Sequence, residues 1–169
     1  FRKLDGSRHR LLYQSDASPN PRSFYRTLLE QLGLKPAFQR SDCKRQLDTA
    51  LMELWDTQHR QTVVVIDEAH LLSPTMLEEV RFLTNHQMDS TSPLALLLVG
   101  QPELGRKLTL QAFEAVRQRI TLRYHLGGLS LPDTREYIVH HLKVAGAARP
   151  LIAEEAIRMI FQRTRGIPR

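Results

Sequence analysis

Residues 63–70 constrain the fold of this chain more than any other part of its sequence. The first four are β-branched and apolar, as in a strand that is buried on both faces of a parallel α/β sheet. Asp67 and Glu68 follow at once, at the carboxyl end of that strand, where open α/β sheets bind their ligands. Two adjacent carboxylates at this place are costly unless a cation or hydrogen bonds compensate them. The pattern is typical of a Walker B element, in which one acid holds Mg²⁺ and the next orients a water molecule. The alternative is a strand that runs into an acidic loop.

Composition excludes several classes of protein. With 169 residues, of which 41% are hydrophobic and 25% are charged, the chain can bury a core as a soluble globular protein. No apolar run approaches the length of a membrane span. Cys43 is the only cysteine, which excludes an internal disulfide and fits the reducing cytoplasm. The formal net charge of +6 permits contact with nucleic acid or acidic lipid, although the basic residues are spread along the chain.

The order of apolar patterns predicts an α/β layer followed by a helical one. Strand patterns occur at residues 11–13, 63–66, 94–99 and 120–126, and helix patterns lie between them. Beyond Gly127 and Gly128 the apolar spacing is helical only. We therefore predict a P-loop NTPase-like parallel sheet with flanking helices at residues 1–127, and a small all-helical lid at residues 128–169.

Gln101 is a further candidate for the site. It follows the all-apolar strand at residues 94–99, which we place beside the Walker B-like strand. Its side chain would then lie at the same edge of the sheet as Asp67, within reach of a γ-phosphate or of the attacking water. The alternative is an ordinary turn residue between Gly100 and Pro102.

Arg117 and Arg119 precede the predicted edge strand at Ile120. Alternate residues of an extended segment point in the same direction. Arginines at a sheet rim can reach into a neighbouring subunit's site and stabilise the charge of a transferring phosphoryl group. A solvated basic rim is the alternative.

A phosphate-binding loop is absent from the sequence. None of the eight glycines belongs to a Gly-x-x-x-x-Gly-Lys-Ser/Thr motif. Residues 100–107 repeat the glycine spacing, but they lack the Gly-Lys-Ser/Thr, and Pro102 removes an N–H that a phosphate nest would use. In P-loop folds the loop and its helix come just before the strand that we place at residues 11–13. We therefore expect the loop to lie upstream of residue 1, with residues 1–4 as the last turn of its helix, and the chain to be a fragment.

An ordered series of motifs resembles a known family. The series comprises Val64-Val65-Ile66-Asp67-Glu68-Ala69, Leu83-Thr84-Asn85, Leu98-Val99-Gly100-Gln101-Pro102-Glu103-Leu104, Arg117-Gln118-Arg119-Ile120 and Gly166-Ile167-Pro168-Arg169. In this order it is similar to the AAA+ ATPases of the ExeA/GspA general-secretion type. Very similar ATPases related to TniB, TnsC and MuB assist transposases. The resemblance implies ATP and Mg²⁺ as cofactors, an AAA+ lid, and self-association into a ring or filament. It also implies further partners, either DNA and a transposase or a membrane component of a secretion system.

The same resemblance assigns roles to matching positions. Asp67 corresponds to the Mg²⁺-binding acid, and Glu68 to the catalytic glutamate. Gln101 takes the sensor-1 place, where other AAA+ branches have Asn or Thr. Arg119, or failing that Arg117, corresponds to the arginine finger. Arg169 corresponds to the sensor-2 arginine of the lid, although on sequence chemistry alone it is a terminal arginine.

Two other classes of function compete with this interpretation. Residues 67–70 spell the Asp-Glu-Ala-His box of a nucleic-acid helicase. Helicases of that kind carry Ser-Ala-Thr on the next core strand, whereas this chain has Val99-Gly100-Gln101. The other class is a non-hydrolysing scaffold that lacks a P-loop.

Overall fold

The computed structural model describes residues 4–16, 19–84, 92–149 and 151–168, which form two compact units, Phe1–Thr121 and Leu122–Arg169. The first unit contains β1 (His9–Gln14), α1 (Pro21–Gln31), α2 (Arg40–Asp56), β2 (Gln61–Ile66), α3 (Pro74–Leu83), β3 (Leu94–Leu98), α4 (Pro102–Leu108) and α5 (Glu114–Gln118). The second contains α6 (Leu131–Val144) and α7 (Glu154–Thr164). The predicted helix end at residues 1–3 lies outside the described residues.

The sheet is parallel and has the order β1-β2-β3, so the Walker B-like strand is central among the described strands. Gln14 pairs with Ile66, and Ile66 pairs with Leu98, so the three strands end at the same level. Val64, Val65 and Ile66 are all buried, as the apolar run predicts. The α/β prediction for the first part of the chain is confirmed.

The helix starts follow their capping residues. Asn20 accepts a hydrogen bond from the Ser23 N–H at 2.9 Å and precedes Pro21, the first residue of α1. Ser73 caps α3 in the same way. Ser130 and Asp133 form a reciprocal capping box at the start of α6. α2 begins without such a cap, because Gln39 is the residue with extended backbone before it and makes no side-chain capping bond.

A polar network joins three helices beside the apolar core of the first unit. Tyr25 of α1 is fully buried and donates a hydrogen bond from its hydroxyl to Oε2 of Glu79 on α3 at 2.6 Å. Arg40, at the start of α2, pairs with the other carboxylate oxygen of Glu79 at 2.8 Å. Burial and the Glu79 carboxylate raise the pKa of the Tyr25 hydroxyl above its ordinary value. The charge of Glu79 is therefore compensated within the fold.

The predicted edge strand at residues 120–126 is wrong. Residues 120–130 have no regular secondary structure, and the described sheet has three strands. The alternating side chains of Leu122, Tyr124 and Leu126 are more than 80% exposed. An alternating pattern supplies apolar side chains but not a neighbouring strand, and a strand needs that neighbour for its backbone hydrogen bonds.

In the second unit, two glycines allow close backbone contacts between the chain before α6 and the chain after α7. The Leu129 N–H donates to the Gly166 carbonyl at 2.8 Å. A Cβ atom on Gly166 would lie 2.0 Å from the Leu129 carbonyl oxygen, and one on Gly128 would lie 2.0 Å from the Arg165 carbonyl oxygen. Gly166 also has a φ of +73°, which favours glycine.

None of the described helices combines the length and the apolar composition that a membrane span requires.

The sequence predicts a boundary between residues 127 and 128, with the functional core before it and the lid after it. This assignment stays a prediction.

Candidate functional site

Backbone hydrogen bonds continue past the strand ends and build the candidate site. The Asp67 N–H donates to the Gln14 carbonyl at 3.1 Å, and the Val99 N–H donates to the Ile66 carbonyl at 2.9 Å. The Ala69 N–H then donates to the Val99 carbonyl at 2.8 Å. The chain that follows β2 is thus held between the last residue of β1 and the chain that follows β3, at the carboxyl edge where such sheets bind ligands.

Both oxygens of the Asp67 carboxylate accept hydrogen bonds. The Tyr13 hydroxyl donates to Oδ2 at 2.5 Å, and the Glu68 N–H donates to Oδ1 at 2.8 Å. These donors, the tyrosine above all, lower the pKa of Asp67 below its ordinary value, and the same bond raises the pKa of Tyr13. In the part of the chain that the structure describes, no lysine or arginine forms an ion pair with Asp67. Asp67 is therefore an ionised carboxylate that has no basic partner among the described residues.

Glu68 stands in a conformation that L-residues rarely adopt. Its φ of +50° and ψ of +33° are left-handed, and it caps the short 3₁₀-helix Ala69–Leu71. A non-glycine residue in this region is worth notice, because such strain persists only where the surroundings fix it. The side chain is 47% exposed, so the carboxylate is accessible at the edge of the sheet.

His70 lies between Glu68 and Gln101. Its Nδ1 atom is 3.4 Å from Oε2 of Glu68 and 3.4 Å from the backbone nitrogen of Gln101. Gly100 makes this approach possible, because a Cβ atom there would lie 3.1 Å from the His70 nitrogen and 3.4 Å from Nδ1. The structure thus brings Asp67, Glu68 and the turn at Gln101 together, as the sequence predicted. The Gln101 side chain is exposed and makes no capping bond at the start of α4.

The two candidate finger arginines lie in and just after a helix rather than on extended backbone. Arg117 is in α5 and pairs with Glu114 one turn before it at 3.5 Å, and Arg119 follows the helix with αR backbone. The argument that both point the same way from an extended segment is therefore wrong, since no strand forms at Ile120. Their assignment as fingers stays a prediction. Arg169, the candidate sensor-2 residue, lies outside the described residues.

Sequence reasoning missed Tyr13 and His70 as residues of the site. Tyr13 was assigned only to a strand, and His70 only to the last position of a helicase-like box. A signal for Tyr13 was available. Its side chain ends in a hydroxyl, and it stands near the carboxyl end of a strand that is parallel to β2. Its contact with Asp67 required the strand register, which one sequence does not define.

The three parallel strands, their flanking helices and the Asp-Glu pair at the carboxyl edge define a P-loop NTPase-like α/β domain. Its fold is similar to that of Cdc6p from Pyrobaculum aerophilum, with a TM-score of 0.62, 16% identity, and coverage of 90% of this chain and 40% of that one. The ADP form of the ORC2 protein from Aeropyrum pernix gives a TM-score of 0.60 at 14% identity, over 82% of this chain and 38% of that one. At these identities the similarity concerns the fold.

Sequence comparison then gives the family. Residues 2–108 match the AAA domain family, and the chain belongs to it. The chain is also 40% identical over 110 residues to general secretion pathway protein A from Aeromonas hydrophila. That match covers 65% of this chain and only 20% of the relative's length. The resemblance to AAA+ ATPases of the ExeA/GspA type is confirmed.

Proposed function

We propose that this chain forms the Walker B and sensor-1 part of an ATPase that couples Mg-ATP binding and hydrolysis to self-association. The observation that carries the proposal is the ionised carboxylate of Asp67, which has hydrogen-bond donors but no basic partner among the described residues. A negative charge that is hydrogen-bonded but not paired with a basic side chain, at the carboxyl end of a central strand, can bind a cation that arrives with a ligand.

The residues present fit Mg²⁺ bound together with phosphates. Each Asp67 oxygen accepts one hydrogen bond and retains a lone pair for a metal ion. The described residues include no group of three or more His, Cys, Asp or Glu side chains that could hold a metal by themselves. Mg²⁺ in nucleotide enzymes is bound by one or two carboxylates plus substrate phosphates, rather than by an all-protein cage. When bound, the ion would neutralise charge that develops on the phosphates.

The other site residues take complementary roles in the proposal. Glu68, with its accessible carboxylate, accepts a proton from the attacking water or orients it. Gln101 contacts the γ-phosphate or that water as sensor 1. Arg119, or Arg117 in its place, acts as a finger in a neighbour's site. Arg169 acts as the sensor-2 arginine of the AAA+ lid that we assign to residues 128–169.

Nucleotide binding also needs a phosphate loop, which the 169 residues do not contain. Affinity in such sites depends on the N–H groups and the lysine of that loop. We therefore propose that residues outside this chain supply it, and that the chain alone neither hydrolyses ATP nor binds it tightly. A calorimetric titration of the chain with Mg-ATP that gave low-micromolar affinity would contradict this.

For the biological process, we favour secretion over transposition, because the relative found by sequence comparison is named for the general secretion pathway. A membrane component of a secretion system is then the expected partner, and the chain is expected to work in the cytoplasm. DNA and a transposase are the alternative partners, which the net charge of +6 permits. Salt-dependent DNA binding by the full-length protein would favour that alternative.

The test separates the roles of the two acids in the full-length protein. Glu68→Gln keeps the size of the side chain but cannot accept a proton, so we expect intact ATP binding and hydrolysis slowed by about 10² or more. Asp67→Asn removes a charge from the metal shell, so Mg²⁺-dependent ATP binding should weaken. Equal loss of binding in both variants would show that this division of roles is wrong.

A further inference from the structure

The His70 ring is almost buried, yet it contacts two residues of the proposed site. Its side chain is 10% exposed, whereas the Glu68 side chain beside it is 47% exposed. The same ring nitrogen, Nδ1, lies 3.4 Å from the Glu68 carboxylate and 3.4 Å from the Gln101 nitrogen. Both distances are at the long end of the range for a hydrogen bond.

One imidazole nitrogen cannot make both bonds at once. To accept from the Gln101 N–H, Nδ1 must carry a lone pair, and the neutral ring then carries its proton on Nε2. To donate to Glu68, Nδ1 must carry the proton. Two tautomers of the neutral ring therefore correspond to two sets of contacts, one with the Gln101 turn and one with the carboxylate.

The backbone around the ring is held, which leaves the ring and the Glu68 side chain as the parts that can respond. Lys107 of α4 donates from Nζ to the His70 carbonyl at 3.2 Å and also to the Leu72 carbonyl. The Ala69 N–H is bonded to the Val99 carbonyl, and Gly100 packs directly against the His70 backbone. The position of Nδ1 relative to the Gln101 turn is thus determined by contacts on both sides.

We propose that His70 is a positioning residue that couples the Glu68 carboxylate to the Gln101 turn. With the proton on Nδ1, the ring holds the carboxylate. With the proton on Nε2, it bonds to the Gln101 N–H and releases the carboxylate toward the attacking water. Gain or loss of the bond between the Gln101 N–H and Nδ1 would thereby change the position of Glu68. The roles of Glu68 and Gln101 in this inference rest on the proposed function. The link between the two residues rests on the contacts of His70.

The first experiment measures hydrolysis by two variants of the full-length protein. His70→Asn places an amide near the position of Nδ1, whereas His70→Gln places one near that of Nε2. If Nδ1 is the atom that acts, His70→Gln should lower kcat about tenfold or more with little change in the KM for ATP, since small misplacements of catalytic groups are costly. His70→Asn should retain most of the activity. An equal decrease in kcat in both variants, or a change in KM alone, would overturn the proposal.

Lys107→Met is the matched control. It removes the bonds from α4 to the His70 and Leu72 carbonyls but leaves Nδ1 and its partners in place. Thermal unfolding of all three variants reports general loosening. If both variants lose a similar amount of stability, the proposal requires kcat to decrease more in His70→Gln than in Lys107→Met. The reverse order would show that His70 acts only through packing.

The second experiment requires no hydrolysis. In uniformly ¹⁵N-labelled protein, at a pH where the ring is neutral, the ring-nitrogen chemical shifts report the tautomer, and the His70→Asn variant identifies the His70 signals. Glu68→Ala removes the acceptor for Nδ1–H, so it should shift His70 toward the Nε2–H tautomer and move the Gln101 amide resonance. Unchanged signals would overturn the link. If the wild type did not hydrolyse ATP, the proposed function would fail, while this measurement would still decide the role of His70.

Discussion

Two tyrosine–carboxylate pairs in the α/β unit differ in how the negative charge is compensated. Tyr25 donates to Glu79 at 2.6 Å, and Tyr13 donates to Asp67 at 2.5 Å, so the bonds themselves are alike. Glu79 has 9% of its side chain exposed and is paired with Arg40. Asp67 lies at the edge of the sheet, and no basic side chain within the described ranges pairs with it.

The difference separates a structural acid from one that suits a ligand. A buried carboxylate with both a hydroxyl and a guanidinium is compensated inside the protein, and it links α1, the start of α2 and α3. A carboxylate with hydrogen-bond donors alone stays ionised and retains the capacity to attract a cation. In the proposed function, the positive charge at Asp67 comes from Mg²⁺, and an arginine of a neighbouring subunit adds positive charge at the phosphates of the same site.

The largest predicted effect tests whether a neighbour supplies part of that charge. In the full-length protein, Arg119→Ala should lower the rate of hydrolysis by about 10³ while ATP binding is retained, because a finger stabilises charge in the transition state. Activity of the wild type should also rise with protein concentration as oligomers form. Arg117→Ala is the comparison, and the larger loss identifies the finger.

Mixing two inactive variants sharpens this test. Arg119→Ala subunits combined with Glu68→Gln subunits create one type of interface with an intact glutamate and an intact finger. Some activity should return. No recovery, in a mixed oligomer shown to form, would count against Arg119 acting in trans, and Arg117 would be the next residue to test.

The sequence was sufficient to predict the parts of the fold that depend on local patterns. The buried strand before Asp67 follows from its apolar run, and the helices between the strands and beyond Gly128 follow from apolar spacing, and all are observed. The placement of Gln101 beside the Asp67-Glu68 pair followed from the rule that parallel strands end at one edge.

The parts that failed depend on partners that are distant in the sequence. Residues 120–126 have a strand pattern, but none of the three described strands pairs with them. Arg117 and Arg119 were consequently placed on extended backbone, whereas they lie in and just after a helix. Tyr13 and Asp67 are 54 positions apart, and their contact depends on strand register rather than on either local pattern.

A second prediction compares the two acids by stability. Glu79→Gln should lower the free energy of unfolding by about 1–3 kcal/mol, because the buried carboxylate loses its charge-assisted bonds to Tyr25 and Arg40. Asp67→Asn should change it little, since its neighbourhood is open to water. Urea denaturation measures both. Glu78→Gln is the control on α3, because Glu78 is 40% exposed and should have a small effect. Equal destabilisation by Asp67→Asn would remove the distinction between the two pairs.

The smallest predicted effect concerns the stability that Tyr25 confers at neutral pH and the loss of that stability at alkaline pH. Tyr25→Phe should lower the free energy of unfolding by about 1 kcal/mol at neutral pH, because it removes one buried hydrogen bond. The pKa of Tyr25 is raised in the folded protein, so above pH 10 the unfolded state releases this proton while the folded state retains it. The stability of the wild type should therefore fall relative to Tyr25→Phe by about 1.4 kcal/mol per pH unit above pH 10. Tyr13→Phe is the matched variant, whose site is open to water and whose difference from wild type should depend less on pH. Urea denaturation between pH 8 and about pH 11 measures the differences, and parallel curves for wild type and Tyr25→Phe would contradict the role of burial at this pair.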